Sequence, residues 1–324
     1  MNERILTGIT TSGIPHLGNY FGAIRPSLDL ANSANESFFF LADYHSIIKV
    51  NKPKEVAISA QKIAMAWLAC GLDPNKTFFY RQSDIKQILE LSWILHCVTS
   101  KGLMNRAHAY KALKSETDDK GINMGLFSYP ILMAADILIF NATKVPVGPD
   151  QTQHLEMTRD IANKFNHTFG EIFTIPEALI DGDGESLPGT DGKKMSKSYQ
   201  NIIPLLSTRE ELKKSILKII TNSLEPGEPK DYSTCNVFKI YSYFADNNEI
   251  DEFKAAYEEG ISWGDAKNKL FELADKHLEP IRDKYFKLES NPQDVIDLLD
   301  EGGKKVMPMA EDLLCNVRES IGIT

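Results

Sequence analysis

The 324-residue chain reads as an α/β fold, a doubly wound parallel sheet followed by a C-terminal α-helical domain. Three observations predict it. Short continuous apolar runs alternate with amphipathic stretches over the first two thirds, the pattern of strands buried on both faces and joined by crossover helices. Polar side chains able to do chemistry gather just after those runs, where an open parallel sheet presents its ligand crevice. Beyond about residue 205 the apolar runs stop and only helix-period patterns remain.

The first strand is Ile5-Leu6-Thr7-Gly8-Ile9-Thr10, and a helix opens at Tyr20-Phe21-Gly22-Ala23-Ile24-Arg25. Between them lies Pro15-His16-Leu17-Gly18-Asn19. A turn from a buried strand into a helix N-terminus presents backbone N–H groups and a positive dipole end, which makes it a seat for phosphate. Gly13 and Gly18 permit close approach, and His16 and Asn19 add side-chain donors. These residues alone would equally serve an ordinary turn. A segment far along the chain, Lys194-Met195-Ser196-Lys197-Ser198, favours phosphate. Its two ammonium groups, interleaved with hydroxyls, suit a triphosphate whose leaving pyrophosphate gathers charge.

The second strand, Ser37-Phe38-Phe39-Phe40-Leu41-Ala42-Asp43, carries Asp43-Tyr44-His45 at its C-terminal end, where side chains line the crevice. A helix follows with Pro53 near its start, apolar positions at Val56, Ala60, Ile63, Ala64, Trp67 and Leu68, and Gly71 at its end. Thr77-Phe78-Phe79-Tyr80 is a third strand, and Ser83 is placed to cap the helix bearing Ile85, Ile88, Leu89 and Leu95. The polar stretch Gly102–Asn123 reads as a solvated helix and loop, with Lys111 and Lys114 within it as alternatives for a reach toward the triphosphate.

The helix beginning at Tyr129-Pro130 takes Pro130 into its first turn and sets Tyr129, Met133 and Asp136 on one face. A carboxylate in such apolar surroundings needs a partner, either an internal salt bridge or a donor on a bound ligand. Val145-Pro146-Val147-Gly148 is a further strand, and the helix from about Asp150 puts Gln151 and His154 one turn apart at its start. Gly182, Gly184, Gly189 and Gly192 flank the lysine segment and predict a mobile loop, suited to closing on a nucleotide and releasing product.

After Ser207-Thr208-Arg209-Glu210-Glu211, which has the form of a capping sequence, amphipathic runs cover Leu212 to Ile220, Val237 to Phe244, Ala266 to Leu278 and Val306 to Val317. Pro226-Gly227-Glu228-Pro229 and Gly302-Gly303 read as breaks between helices of a bundle. The expected domains are residues 1–205 and 206–324, the last helix packing back on the first domain.

The formal net charge is −9, and it is unevenly placed: Lys and Arg number 20 against 21 Asp and Glu over residues 1–205, and 16 against 24 over 206–324. An acidic second half excludes a general nucleic-acid-coating protein and leaves RNA contact to local basic patches. Cys70, Cys97, Cys235 and Cys315 lie far apart, so no local zinc ribbon or disulfide framework is expected. No apolar run reaches about 18 residues, and Met1-Asn2-Glu3-Arg4 leads straight into a strand, so a cytoplasmic protein without a membrane span is expected.

The phosphate turn and the lysine segment together resemble the paired signatures of class I aminoacyl-tRNA synthetases. With Tyr129 through Met133-Ala134-Ala135-Asp136-Ile137, and with Val145-Pro146-Val147-Gly148-x-Asp150-Gln151-x-Gln153-His154, the order is similar to that of bacterial-type tryptophanyl-tRNA synthetases. The resemblance implies a Rossmann-like catalytic domain and a helical domain that reads the anticodon. It implies activation of L-tryptophan by ATP to tryptophanyl-adenylate and pyrophosphate, then transfer to the 3′-terminal adenosine of tRNA(Trp), by a homodimer using Mg²⁺.

Residue by residue, the resemblance gives Asp136 the indole N–H, with Met133 against the ring and Val145 and Val147 lining the slot. It gives Tyr129 and Gln151 the α-ammonium, with His45 nearby. It assigns ATP to His16, Asn19, Thr10, Thr11, Gly18, Gly148, Met195, Ser196 and Ser198, the ribose to Asp150, and one further ATP contact to Lys111 or Lys114. Lys194 and Lys197 stabilise the departing pyrophosphate. A slot built around one hydrogen bond rejects analogues lacking it by about 10⁴–10⁵, so no editing domain is needed. Thr10-Thr11 stands where many members carry Gln-Pro, and Asn19 stands where most class I relatives carry histidine.

Three rivals differ in what they require. The sister tyrosine enzyme shares the fold and both ATP motifs, but the apolar neighbourhood of Asp136 favours indole over a phenol that both donates and accepts. A small-molecule nucleotidyltransferase has no use for the helical appendage. An inactive paralogue acting as a regulator has no need of two pyrophosphate-binding lysines.

Overall fold

The computed structural model describes residues 3–11, 13, 15–48, 52–107, 122–148, 151–180 and 187–323. Among these, five parallel strands form one sheet: β1 (Arg4–Ile9), β2 (Glu36–Leu41), β3 (Phe78–Arg81), β4 (Lys144–Val147) and β5 (Glu177–Ile180), in the order β3-β2-β1-β4-β5. The order reverses between β1 and β4, and the crevice beyond their C-terminal ends is where a doubly wound sheet binds ligands.

Side-chain alternation divides the core. Phe38 and Phe40 face one side of the sheet with Leu6, Tyr80 and Val145, while Phe39 and Leu41 face the other with Ile9 and Phe79. All four β2 side chains are almost wholly buried, which is why that strand reads as an unbroken apolar run.

The β1–β2 crossover is one continuous helical stretch: α1 (Leu17–Asn19), a π-helical turn at Tyr20–Ile24, and α2 (Arg25–Ala31). After β2 come a short helix, α3 (Asp43–Ser46), and α4 (Pro53–Ala69), which ends before Gly71 at φ +117°. Then follow α5 (Gln87–Val98), α6 (Lys101–Met104), α7 (Met124–Leu138) and α8 (Thr152–Phe169). The C-terminal half contributes α9 (Arg209–Leu217), α10 (Asn236–Ser242), α11 (Asn247–Glu258), α12 (Trp263–Ser290) and α13 (Pro292–Ser320). Thr208 and Glu211 form the expected capping box at α9.

Three sequence expectations are corrected and one strand is added. Pro130 is not in a first turn: α7 starts at Met124, where Asn123 Oδ1 accepts from Leu126 N–H at 2.8 Å, so the proline sits inside the helix. Ser83 caps nothing, because it lies in a 3₁₀ turn (Gln82–Asp84) and its hydroxyl donates to Asp43. Strand β5 was not anticipated, since Glu177-Ala178-Leu179-Ile180 is short and carries no alternation. Gly302-Gly303 is not a break: both lie within α13, and a Cβ on Gly302 would stand 1.8 Å from the Phe79 carbonyl oxygen. The glycines let α13 lie directly on edge strand β3, covering backbone groups that would otherwise be open to pairing.

The helical half joins both cores. Phe238, Tyr257, Leu270 and Leu278 continue the core of Ile9 and Phe39, and Val306, Ala310, Leu314 and Val317 close that of Leu6 and Phe38.

Candidate active site

At the C-terminal end of β1 the chain runs through Thr10 and Thr11 into the turn ahead of α1. Ser59 on α4 pins this turn: its hydroxyl donates to the Thr11 carbonyl at 2.5 Å and accepts from Gly13 N–H at 3.2 Å. Asn19 Oδ1 accepts from His16 N–H at 3.2 Å, leaving the Asn19 NH₂ as the end able to donate elsewhere. Burial, and then the charge of Lys197, push the His16 imidazole down to about 4, so at neutral pH it is an uncharged ring. Thr11 Oγ1 and His16 Nδ1 are buried with no hydrogen-bond partner among the described residues, the state of groups suited to a bound polar ligand.

The lysine segment folds onto this turn. Gly18 N–H donates to Met195 Sδ at 3.4 Å, and a Cβ on Gly13 would lie 2.5 Å from Lys197 Nζ, so the ammonium rests against the glycine. Downstream, Leu17 N–H donates to Ile203 O at 3.0 Å and Leu205 N–H to Pro15 O at 3.2 Å, an antiparallel clasp centred on His16 and Pro204. Ser196 Oγ accepts from Ser198 N–H at 3.3 Å and caps the 3₁₀ turn Lys197–Tyr199. Lys194 and Ser198 are exposed. Two segments nearly 180 residues apart thus form one basic, donor-rich surface at the mouth of the sheet.

A second cluster sits beyond β2 and β3. Asp136, buried on α7, accepts from Gln82 Nε2 at 2.8 and 3.0 Å and lies 2.9 Å from His45 Nε2. Burial raises its carboxyl above the usual range, against the opposing pull of His45 and Gln82. Gln82 Oε1 accepts from Tyr44 N–H at 3.1 Å, and Asp43 accepts from Tyr44 N–H and Ser83 N–H, both at 3.0 Å. The two strand ends are therefore laced together beneath Asp136. The salt-bridge and ligand explanations of this carboxylate are compatible: two donors orient it, and a carboxylate has capacity for a further one.

On the α7 face of Asp136, Met133 is half-buried, and the Tyr129 hydroxyl lies 2.6 Å from His154 Nε2 on α8. Val145 and Val147 of β4 are buried nearby in the same core. Gln151, exposed at the N-terminus of α8, donates its N–H to Gly148 O at 2.9 Å, which closes the turn after β4. Thr10 and Gly148 are exposed at the two strand ends flanking the switch point. Lys111, Lys114 and Asp150 lie outside the described residues.

Sequence reasoning missed Gln82 as a site residue and left His154 without a role. Gln82 carried a usable signal, standing just past the C-terminal end of a buried apolar run, the kind of strand end at which Asp43-Tyr44-His45 was singled out. His154 pairs with a residue 25 positions away, and only the packing of α8 on α7 reveals it.

Known proteins resemble this chain over its whole length. The sequence profile of the family described as tRNA synthetases class I (W and Y) matches residues 2–279. A tryptophan–tRNA ligase of Neisseria meningitidis is 52% identical, over 99% of this chain and 98% of its own length. One of Xanthomonas axonopodis pv. citri is 51% identical, over 100% of this chain and 77% of its own. Among solved structures, the tryptophanyl-tRNA synthetase of Campylobacter jejuni complexed with ADP and tryptophan superposes with a TM-score of 0.93 at 42% identity, covering 98% of this chain and 99% of its own. By its family match, its fold and its relatives, the chain belongs to the class I tRNA synthetases of the tryptophan and tyrosine (W and Y) family.

Proposed function

We infer that this protein is a tryptophan–tRNA ligase: it activates L-tryptophan with ATP and transfers the tryptophanyl group to tRNA(Trp). One observation carries the reading. A buried carboxylate, Asp136, is held by Gln82 and His45 at the same C-terminal end of the sheet as the turn ahead of α1 and its lysine cover. Indole N–H donates and cannot accept, so a buried carboxylate with spare lone pairs matches it. The Campylobacter relative's complex with ADP and tryptophan supports a site taking an adenine nucleotide and tryptophan together.

The tryptophan carboxylate attacks the ATP α-phosphorus, and the bond to pyrophosphate breaks. Lys194 and Lys197 stabilise the charge gathering on the leaving group, while neutral His16 and the Asn19 NH₂ donate to phosphate oxygens. The ring of tryptophan lies against Met133 between Val145 and Val147. The Tyr129 hydroxyl, held 2.6 Å from His154 Nε2, and the Gln151 side chain provide acceptors for the α-ammonium. His45 acts through Asp136. Thr10, Thr11, Gly18, Gly148, Met195, Ser196 and Ser198 line the nucleotide, and Asp150 and one of Lys111 and Lys114 complete it. Catalysis is orientation and charge stabilisation, with no protein nucleophile.

Among the described residues no group of three His, Cys, Asp or Glu side chains is placed to hold a metal. Mg²⁺ is read as arriving on the ATP phosphates. Residues 206–324 are assigned the anticodon. The exposed row Leu89, Trp93 and Cys97 on α5, with Trp93 70% exposed, supports a homodimer across that face. No helix of the described residues is long and apolar enough to cross a membrane. The four unpaired cysteines support a reducing cytoplasm.

The test is ATP–pyrophosphate exchange with tryptophan, with tyrosine and with no amino acid, using Asp136→Ala as control. Exchange with tryptophan alone, lost in the variant, is expected. Exchange driven by tyrosine would overturn the pocket, and none at all would favour a regulator.

A further inference from the structure

Asn201 lies three residues past Ser198 and is only 2% exposed. Its side chain sits beneath the lysine loop and ties both flanks together. Oδ1 accepts from Ser196 N–H at 2.8 Å, while Nδ2 donates to Lys194 O at 3.1 Å and to Asp191 Oδ1 at 2.7 Å. Its backbone oxygen accepts from Thr190 N–H at 2.9 Å. The amide orientation is fixed by the partners, since an N–H faces one end and two acceptors face the other. Every side-chain hydrogen-bonding direction but one lone pair is used, and the residues so held bracket Met195.

The surroundings are shaped for this side chain. Gly189 packs so tightly that a Cβ there would lie 2.4 Å from Asn201 Cγ and Nδ2. Gln200, at φ +52°, is in the left-handed region and turns the chain so that residue 201 comes back under the loop. Two residues later begins the clasp of Ile203 and Leu205 on Leu17 and Pro15. Met195, held on either side by Asn201, reaches Gly18 N–H through its sulfur. Asn201 is thus the joint between the segment carrying Lys194 and Lys197 and the turn carrying His16 and Gly18.

We propose that Asn201 is the positioning residue that sets the lysine loop on the phosphate turn, so that its loss slows adenylate formation while leaving tryptophan binding intact. The inference rests on the reading of Lys194 and Lys197 as pyrophosphate-stabilising groups. Asparagine is required because the site needs an acceptor and two donors on one short, planar group. An aspartate would keep the bond to Ser196 and set a carboxylate against the Lys194 carbonyl and the Asp191 carboxylate.

The test compares native protein with Asn201→Ala, Asn201→Asp, the pair Asn201→Asp with Asp191→Asn, and Lys197→Ala. Single-turnover adenylate formation and equilibrium dialysis of labelled tryptophan are both measured. Displacement of catalytic groups by about 1 Å costs on the order of 100-fold, so Asn201→Ala is expected to slow adenylate formation by about 30- to 100-fold, with tryptophan affinity within about twofold of native. Restoring a donor opposite the new carboxylate, Asp191→Asn should recover about tenfold of the rate lost in Asn201→Asp. A native rate in Asn201→Ala beside a slow Lys197→Ala overturns the role of Asn201 alone. A native rate in Lys197→Ala overturns the reading of the lysines and the inference with it. Parallel loss of rate and tryptophan affinity in Asn201→Ala also overturns it, because the residue would then support the fold generally. Should that variant not fold, the Asn201→Asp pair decides: no recovery on adding Asp191→Asn overturns the proposal.

Discussion

Gln82 uses both ends of its amide within the site, accepting from Tyr44 N–H at 3.1 Å and donating to Asp136 at 2.8 and 3.0 Å. It is wholly buried, so each bond it makes replaces one that water cannot supply. Removing it leaves the Tyr44 N–H to Asp43 alone and the buried Asp136 carboxylate with His45 as its partner among the described residues, one oxygen short of a donor. An orphaned buried group costs about 1–3 kcal/mol, so Gln82→Met, of similar length, is expected to weaken tryptophan binding by about ten- to a hundredfold. Equilibrium dialysis checks this, and native affinity in the variant would remove Gln82 from the pocket. Asp136 itself was legible in the sequence because an acid among apolar residues is conspicuous. His45 was legible as a residue of the crevice, but its pairing with Asp136 and any role for Gln82 were not, because a histidine in a short helix and a glutamine after a strand meet on one carboxylate only when β2 and β3 lie side by side.

Among elements, α13 shows how a local signal can carry the wrong meaning. Two adjacent glycines in a helical pattern ordinarily mark a break, and here they mark a contact: Gly302 meets the Phe79 carbonyl and Gly303 the Asp84 side chain. The obstacle at Gly302 is backbone, which cannot rotate away. Gly302→Ala is therefore expected to destabilise the protein by about 3 kcal/mol or more, although alanine is the better helix former by about 1 kcal/mol. At Gly264 in α12 the nearest atom to an added Cβ is Ser262 Oγ at 3.7 Å, ordinary contact, and Gly264→Ala should be neutral or slightly stabilising. Denaturant midpoints compare the two; equal stability would mean that α13 does not depend on close approach to β3. Arg81 and Asp300 add an ion pair across the same junction.

At the scale of the whole molecule, the face of α5 that presents Leu89 (44% exposed) and Trp93 (70% exposed) offers the large apolar side chains that anchor subunit contacts. Trp93→Asp is expected to convert the proposed dimer into a 36.4 kDa monomer by light scattering behind size exclusion. A native protein already monomeric at micromolar concentration, or a variant still dimeric, would sink that interface. The sequence by itself determined the strand–helix alternation, the turn between β1 and α1, the lysine segment and the buried acid, because each is written in residues close together in the chain and follows from backbone geometry and local burial. It also determined that the second half is helical. Only the tertiary structure decided that the lysine segment sits on Gly13 and Gly18, that Gln82 and His45 meet on Asp136, that Asn201 is the joint beneath the loop, and that α13 covers β3. The Asn201 side-chain bonds span only 5 to 10 residues but need the loop to fold back on itself; the others join segments tens to hundreds of residues apart, and their existence depends on sheet order and close packing, which no local pattern encodes.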